Sequence, residues 1–217
     1  MRGFLEQTRK ITSIKVQKKN PNRVNICLDE EFAFGLPRIV AAWLHVGQEL
    51  SEEKIASLRT EDTRERAFQQ ALKFLNFRQR SQVEVERNLK DHQYPEEVVA
   101  EVVDRLRENG LLDDSRFAQT WVENRSEFRP RGKSLLRMEL RQRGLQDEAI
   151  EAAIQSVDEG ELAYQAGLKQ ARKLADLDWN QFRQKMYGFL ARRGFDYEYI
   201  SPVVERIWQE KRSDQPE

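Results

Sequence analysis

Three nine-residue stretches, VVAEVVDRL (98–106), AIEAAIQSV (149–157) and YISPVVERI (199–207), carry one apolar stripe. In the first, Val98, Val99, Val102, Val103 and Leu106 hold positions i, i+1, i+4, i+5 and i+8. Ala149, Ile150, Ala153, Ile154 and Val157 repeat it 51 residues on, and Tyr199, Ile200, Val203, Val204 and Ile207 after a further 50. That spacing predicts a helix buried along one side. The register extends upstream through Val85, Leu136 and Met186, then Leu89, Leu140 and Leu190, then Tyr94, Leu145 and Phe195. Gly144 and Gly194 precede the last two, as expected where a helix ends on a left-handed residue and the next apolar side chain tucks under the turn.

The segments AFQQALKFL, SRFAQTWV and ELAYQAGL each supply a first helix. The reading is therefore mainly α: three tandem three-helix repeats in an elongated curved array, over 61–110, 111–158 and 159–211, with a charged tail at 212–217. Such a body offers long surfaces and few pockets. It favours a binder over a catalyst.

Residues 1–60 follow another rhythm. ITSIKVQ places Ile14 and Val16 on one strand face, NPNR supplies a turn, and Val24, Ile26 and Leu28 alternate along VNICLD. EEFAFGLP adds a third short strand. Helical spacing follows at 38–44 and 51–58, with Ser51, Glu52 and Glu53 suited to a helix start. A small β-rich N-terminal segment with short helices is expected.

Charge excludes some functions and localises others. The 217 residues hold 37 basic and 37 acidic side chains, so no global attraction to nucleic acid exists. Locally the signs separate: net +6 over 1–23, −5 over 96–114 and +5 over 125–143. The single Cys27 permits no intrachain disulfide and points to a reducing compartment. With no apolar run near eighteen residues and no signal-peptide core at the start, a cytoplasmic protein without membrane contact is expected.

Chemistry-bearing motifs are sparse. Gly132-Lys133-Ser134 matches the end of a phosphate-binding loop, but Glu127 stands where the motif needs glycine and no strand feeds it. Asp113 and Asp114 are adjacent carboxylates; the simpler reading has Gly110 closing a helix, Leu111 and Leu112 buried, and one aspartate capping the next helix. His45 and His92 lack partners at metal or catalytic spacing, and no Ser-His-Asp pattern is present. Trp43, Trp121, Trp179 and Trp208 lie in apolar stretches and read as core. No catalytic residue, metal ligand or cofactor is assigned.

The basic block remains. Arg125, Arg129, Arg131 and Lys133 fall on the connection between the first two helices of the second repeat, and Pro130 and Gly132 keep that connection non-helical and exposed. Arg137 and Arg141 lie four apart on the following helix, turned from Leu136 and Leu140 toward solvent. Bases so placed suit phosphates or a partner's carboxylates.

These residues resemble the RecX family, the bacterial regulators of the RecA recombinase. The likeness runs from about Ala67 to Ile207 and is carried by Ala71, Leu72, Leu75, Arg78 and Ser81. It continues through Gly110, Leu111, Leu112, Asp113, Asp114, Phe117 and Ala118, and through Gly132, Leu136, Leu140 and Gly144. The resemblance implies tandem three-helix repeats and binding to the RecA filament on single-stranded DNA. It further implies restraint of strand exchange, ATP hydrolysis and coprotease activity, in recombination, DNA repair and the SOS response. The protein is expected to act as a monomer without an active site; direct DNA binding through the basic N-terminus and repeat-two face is the alternative.

Overall fold

The computed structural model describes residues 8–213. Among them are four antiparallel strands followed by nine α-helices, divided between two compact units. The first unit takes residues up to 78 together with 85–108; the second takes 79–84 and 109 onward.

In the first unit, β1 (Thr8–Gln17), β2 (Asn20–Leu28), β3 (Glu31–Pro37) and β4 (Glu49–Ser51) form a sheet in the order β3-β2-β1-β4. Val24, Ile26 and Leu28 are buried as their alternation predicts. β1 adds one feature. Its pairing slips between Ile11 and Ser13, which brings Ile11 into the core on the same face as Ile14 and Val16; Val16, opposite Val24 near the strand's end, keeps that face but stands exposed. One inserted residue changes which face a strand's side chains take. β4 has only three residues, too few to show a period of two, and its pairing with Thr8–Lys10 is legible only in the fold. Trp43 is the clearest correction: it stands 86% exposed on the single 3₁₀ turn Val40–Trp43, which buries only Ala41.

Helix α1 (Glu52–Asn76) starts where Ser51 Oγ accepts from the Lys54 amide at 3.2 Å. It runs without a break through residue 60, so no change of element marks the end of the β-rich segment. Ile55 and Leu58 close the sheet's core, whereas Ala67, Phe68 and Ala71 are buried further along the same helix, which packs on α3. α2 (Gln82–Asp91) buries Val85 and Leu89, and α3 (Glu96–Glu108) buries the whole Val98–Leu106 stripe.

The second unit holds α4 (Asp114–Phe128), α5 (Lys133–Gln142), α6 (Asp147–Ile154), α7 (Glu159–Ala171), α8 (Trp179–Ala191) and α9 (Tyr197–Ser213). Leu136, Leu140, Leu145, Ile150 and Ile154 form the core of the second repeat with Phe117, Ala118 and Val122. Met186, Leu190, Phe195, Ile200, Val204 and Ile207 do the same in the third. Val157 packs against both cores. Each stripe supplies core residues in its repeat, with Ala149, Val157 and Tyr199 only partly buried. Residues 1–7, part of the basic N-terminus, and most of the charged tail lie outside the described residues.

Candidate partner-binding site

The second repeat is organised by its helix ends. Gly110 takes φ of +65° after α3, Leu112 is buried and Leu111 is about half exposed, contrary to the expectation for both leucines. Asp113 is the N-cap of α4, its Oδ1 accepting from the Arg116 amide at 3.0 Å. Asp114 faces elsewhere: its Oδ1 accepts from the backbone amide of Gln82, the first residue of α2, at 2.8 Å.

One repeat later the arrangement recurs. Asp158 caps α7 through the Glu161 amide, and Glu159 Oε1 accepts from the backbone amide of Lys133, the first residue of α5, at 3.0 Å. Burial raises the Glu159 carboxyl pKa, with the Lys133 amide opposing that shift. The paired acids are therefore helix-end joints: one caps its own helix and the other caps a neighbour's.

The turns join the same partners. Ser81 and Glu84 form a reciprocal capping box at the start of α2, and Ser81 Oγ donates to the Arg143 carbonyl at 2.6 Å. In the next joint the Gly132 amide donates to the Arg193 carbonyl at 2.9 Å. A Cβ at Gly144 would stand 2.6 Å from Val83, and one at Gly132 would overlap the Gly194 carbonyl. The signature residues Gly132 and Gly144 are thus required by close approach. The Gly132-Lys133-Ser134 sequence begins a helix in a packed joint; Pro130 and Gly132 are buried, not exposing as expected.

The six predicted basic residues divide into three groups. Arg125 and Arg131 turn inward onto Glu139, which is 9% exposed. Arg125 Nε donates to Glu139 Oε2 at 2.8 Å, Trp121 Nε1 donates to the same oxygen at 2.8 Å, and Arg131 pairs with Oε1. The guanidinium carbons of Arg125 and Arg143 lie 4.4 and 4.8 Å from the Trp121 ring centre. This is a structural hub.

Arg137 and Arg141 lie on α5 as expected, but their charges are met. Arg137 holds Glu151 through two bonds of 2.5 and 2.9 Å, and Arg141 Nε holds Asp147 Oδ1 at 2.8 Å. The pairing lowers the pKa of both carboxylates and raises that of both arginines. Met138, 48% exposed, lies with Arg137, Arg141, Ser134 and Gln142 in a shallow depression.

Arg129 and Lys133 have no ion-pair partner among the described residues. A third cation joins them that the sequence reading passed over. Arg193 donates from Nη1 to the Pro130 carbonyl at 3.2 Å and stacks 4.5 Å from the Phe189 ring centre. Burial lowers its pKa first and the charge of Arg129 adds to the effect; Arg131 is lowered by burial and then by Arg125, Arg193 and Arg129. The repeat register offered the signal, since Arg193 follows Arg143 by 50 residues and each precedes a turn glycine.

Among the described residues no three His, Cys, Asp or Glu side chains gather as metal ligands, and His92 Nδ1, just past α2, lies 2.7 Å from the Asn88 carbonyl oxygen. No helix among them is long and apolar enough to cross a membrane.

Comparison with known proteins agrees along the chain. Residues 9–51 match the regulatory protein RecX N-terminal domain, and 67–106, 113–154 and 158–204 match the first, second and third RecX three-helix domains. The regulatory protein RecX of Bacillus subtilis (strain 168) is 34% identical over 209 residues, which cover 94% of this chain and 79% of the relative. That of Bacillus pumilus (strain SAFR-032) is 31% identical over 213 residues, covering 95% and 81%. A crystal structure of a regulatory protein RecX superimposes with a TM-score of 0.73 at 29% identity, over 91% of this chain and 99% of that one. Sheet, repeats and helix-end joints together place this chain in the RecX family of regulatory proteins.

Proposed function

We propose that the protein regulates RecA without chemistry of its own. It lies along the RecA filament on single-stranded DNA and slows ATP hydrolysis, strand exchange and coprotease action. The observation that carries this reading is membership of a regulatory family, with three similar helical units in series. Repeated units match a partner whose surface also repeats. The contact surface is the second repeat's basic region. Arg129, Lys133 and Arg193 supply uncompensated charge there, and Met138 supplies an apolar anchor between Arg137 and Arg141, a residue pairing enriched at protein interfaces.

The test is RecA-dependent ATP hydrolysis on single-stranded DNA with sub-stoichiometric protein. Hydrolysis is expected to fall, and Arg129→Glu with Lys133→Glu should weaken the effect about tenfold, the scale of two lost charge contacts. Arg137→Glu with Arg141→Glu should weaken it less, because those charges already have partners. Unchanged hydrolysis at equimolar protein would overturn the proposal. Binding to DNA without RecA that falls steeply as salt rises and is lost in Arg129→Glu with Lys133→Glu would favour the direct DNA-binding reading instead.

A further inference from the structure

A cleft of about 490 Å³ opens in the first unit. One wall is the polar side of α1, where Arg66, Gln69 and Lys73 follow one another at helical spacing. The other wall is the start of β2, with Asn20 and Asn22, and Tyr94 contributes a half-buried ring. The volume falls in the range of small-ligand sites, but the lining is too polar for an apolar guest.

Charge accounting selects the ligand. The acids here are engaged: Asp62 holds Arg23 at 2.5 Å, and Glu65 accepts from Arg105 at 3.1 Å and from Gln69 Nε2 at 3.0 Å. Arg66 and Lys73 have no ion-pair partner among the described residues. Two cations therefore face the cleft uncompensated. Beside them the Asn22 side-chain amide offers both a donor and an acceptor and Asn20 adds a donor, its Oδ1 already accepting from the Asn22 backbone amide at 3.1 Å, as a nucleobase edge requires and a carboxylate does not. An aromatic ring adjoining such groups is a stacking platform.

We infer that this cleft binds a phosphorylated nucleoside, with Arg66 and Lys73 on phosphate, the amides on the base edge and Tyr94 stacked on the base. The source is either a free nucleotide or one residue of a single strand. The site is independent of the RecA reading, and its test contains no RecA, so either can fail alone.

The test uses the full-length protein with oligothymidylate and, separately, thymidine monophosphate, followed by calorimetric titration. A 4-thiothymidine strand then maps the contact by photocrosslinking and peptide mass. Adducts are expected on peptides bearing Tyr94 or Asn20–Asn22. Arg66→Ala with Lys73→Ala should lower affinity about tenfold and reduce the salt slope by about 1.4, the value for two phosphates on a single strand. Both residues are exposed, so the fold should persist, checked by an unchanged melting curve. Tyr94→Leu should lower affinity about equally at low and high salt, since stacking carries no counterions. Monophosphate that competes with the strand identifies a free nucleotide as the source; binding of the strand alone identifies the polymer. The inference is overturned if neither probe binds, if the double variant binds within about twofold of the parent, or if adducts lie only elsewhere.

Discussion

Two turns of the same design close on different residues. The turn before α9 ends on Gly194, with φ of +78°, and the turn before α3 ends on Gln93, with φ of +62°. Both backbones are left-handed, a conformation that costs a non-glycine residue about 1 kcal/mol. The difference lies opposite the turn. A Cβ at Gly194 would stand 2.7 Å from the Leu135 amide nitrogen, whereas Gln93 is exposed. Glycine is demanded by the neighbour's approach more than by the dihedral angle.

This contrast can be broken directly. Gly194→Ala combines backbone strain with overlap against a helix start that cannot yield, and should cost about 4 kcal/mol in urea unfolding. Gln93→Ala should change stability by less than about 0.5 kcal/mol. Equal effects would show that the joint gives way easily and that the φ angle alone selects the residue.

The arginines of the second repeat divide along the same line between packed joint and open face. Glu139→Ala leaves Arg125, Arg131 and the Trp121 indole without their shared acceptor in a part-buried setting and should cost about 3 kcal/mol. Glu151→Ala removes one acceptor from an exposed pair and should cost less than about 1 kcal/mol. Both are read by equilibrium denaturation, and a Glu151 effect as large as that of Glu139 would erase the distinction.

The smallest effect sharpens the contrast through pH. Asp147 and Glu151 have folded-state pKa values below their ordinary ones because Arg141 and Arg137 hold the ionised forms. Their contribution is present above the unfolded carboxylate pKa and is lost as pH falls through the depressed folded values. Acid titration of Glu151→Gln should therefore show a shallower loss of stability in that window, with no change near neutrality in the slope. Glu159 has the opposite sign. Its pKa is raised by burial, so stability should decline as pH rises from the unfolded value through the folded one, and Glu159→Gln should flatten that decline.

Much of the fold was legible in advance because a helix stripe is a local pattern. Val98 to Leu106 and its two counterparts needed only the chain's own spacing, and Asp113 needed only its place before an apolar run. The errors share one cause. Trp43 reads as core from its apolar neighbours, yet it ends a short 3₁₀ turn that buries only Ala41, and Val16 keeps its strand face but stands uncovered at the end of β1, beside a pairing slip. Arg125 and Arg141 are identical in type and belong to one charge run. Only the position of Glu139 beneath one and Asp147 beside the other separates structure from surface.

By itself the sequence determined that this chain builds three similar helical trios behind a small sheet, since periodicity and turn residues act within a few positions of themselves. It also fixed the family, through glycines and acids whose spacing survives without coordinates. The tertiary structure alone decided that Asp114 and Glu159 cap a neighbour's helix, that Arg125 and Arg131 of the basic block are spent inside the protein, and that Arg193 joins Arg129 and Lys133. Those outcomes depend on groups brought together from distant parts of the chain, and charge pairing is set by distance in space, which spacing along the chain does not encode.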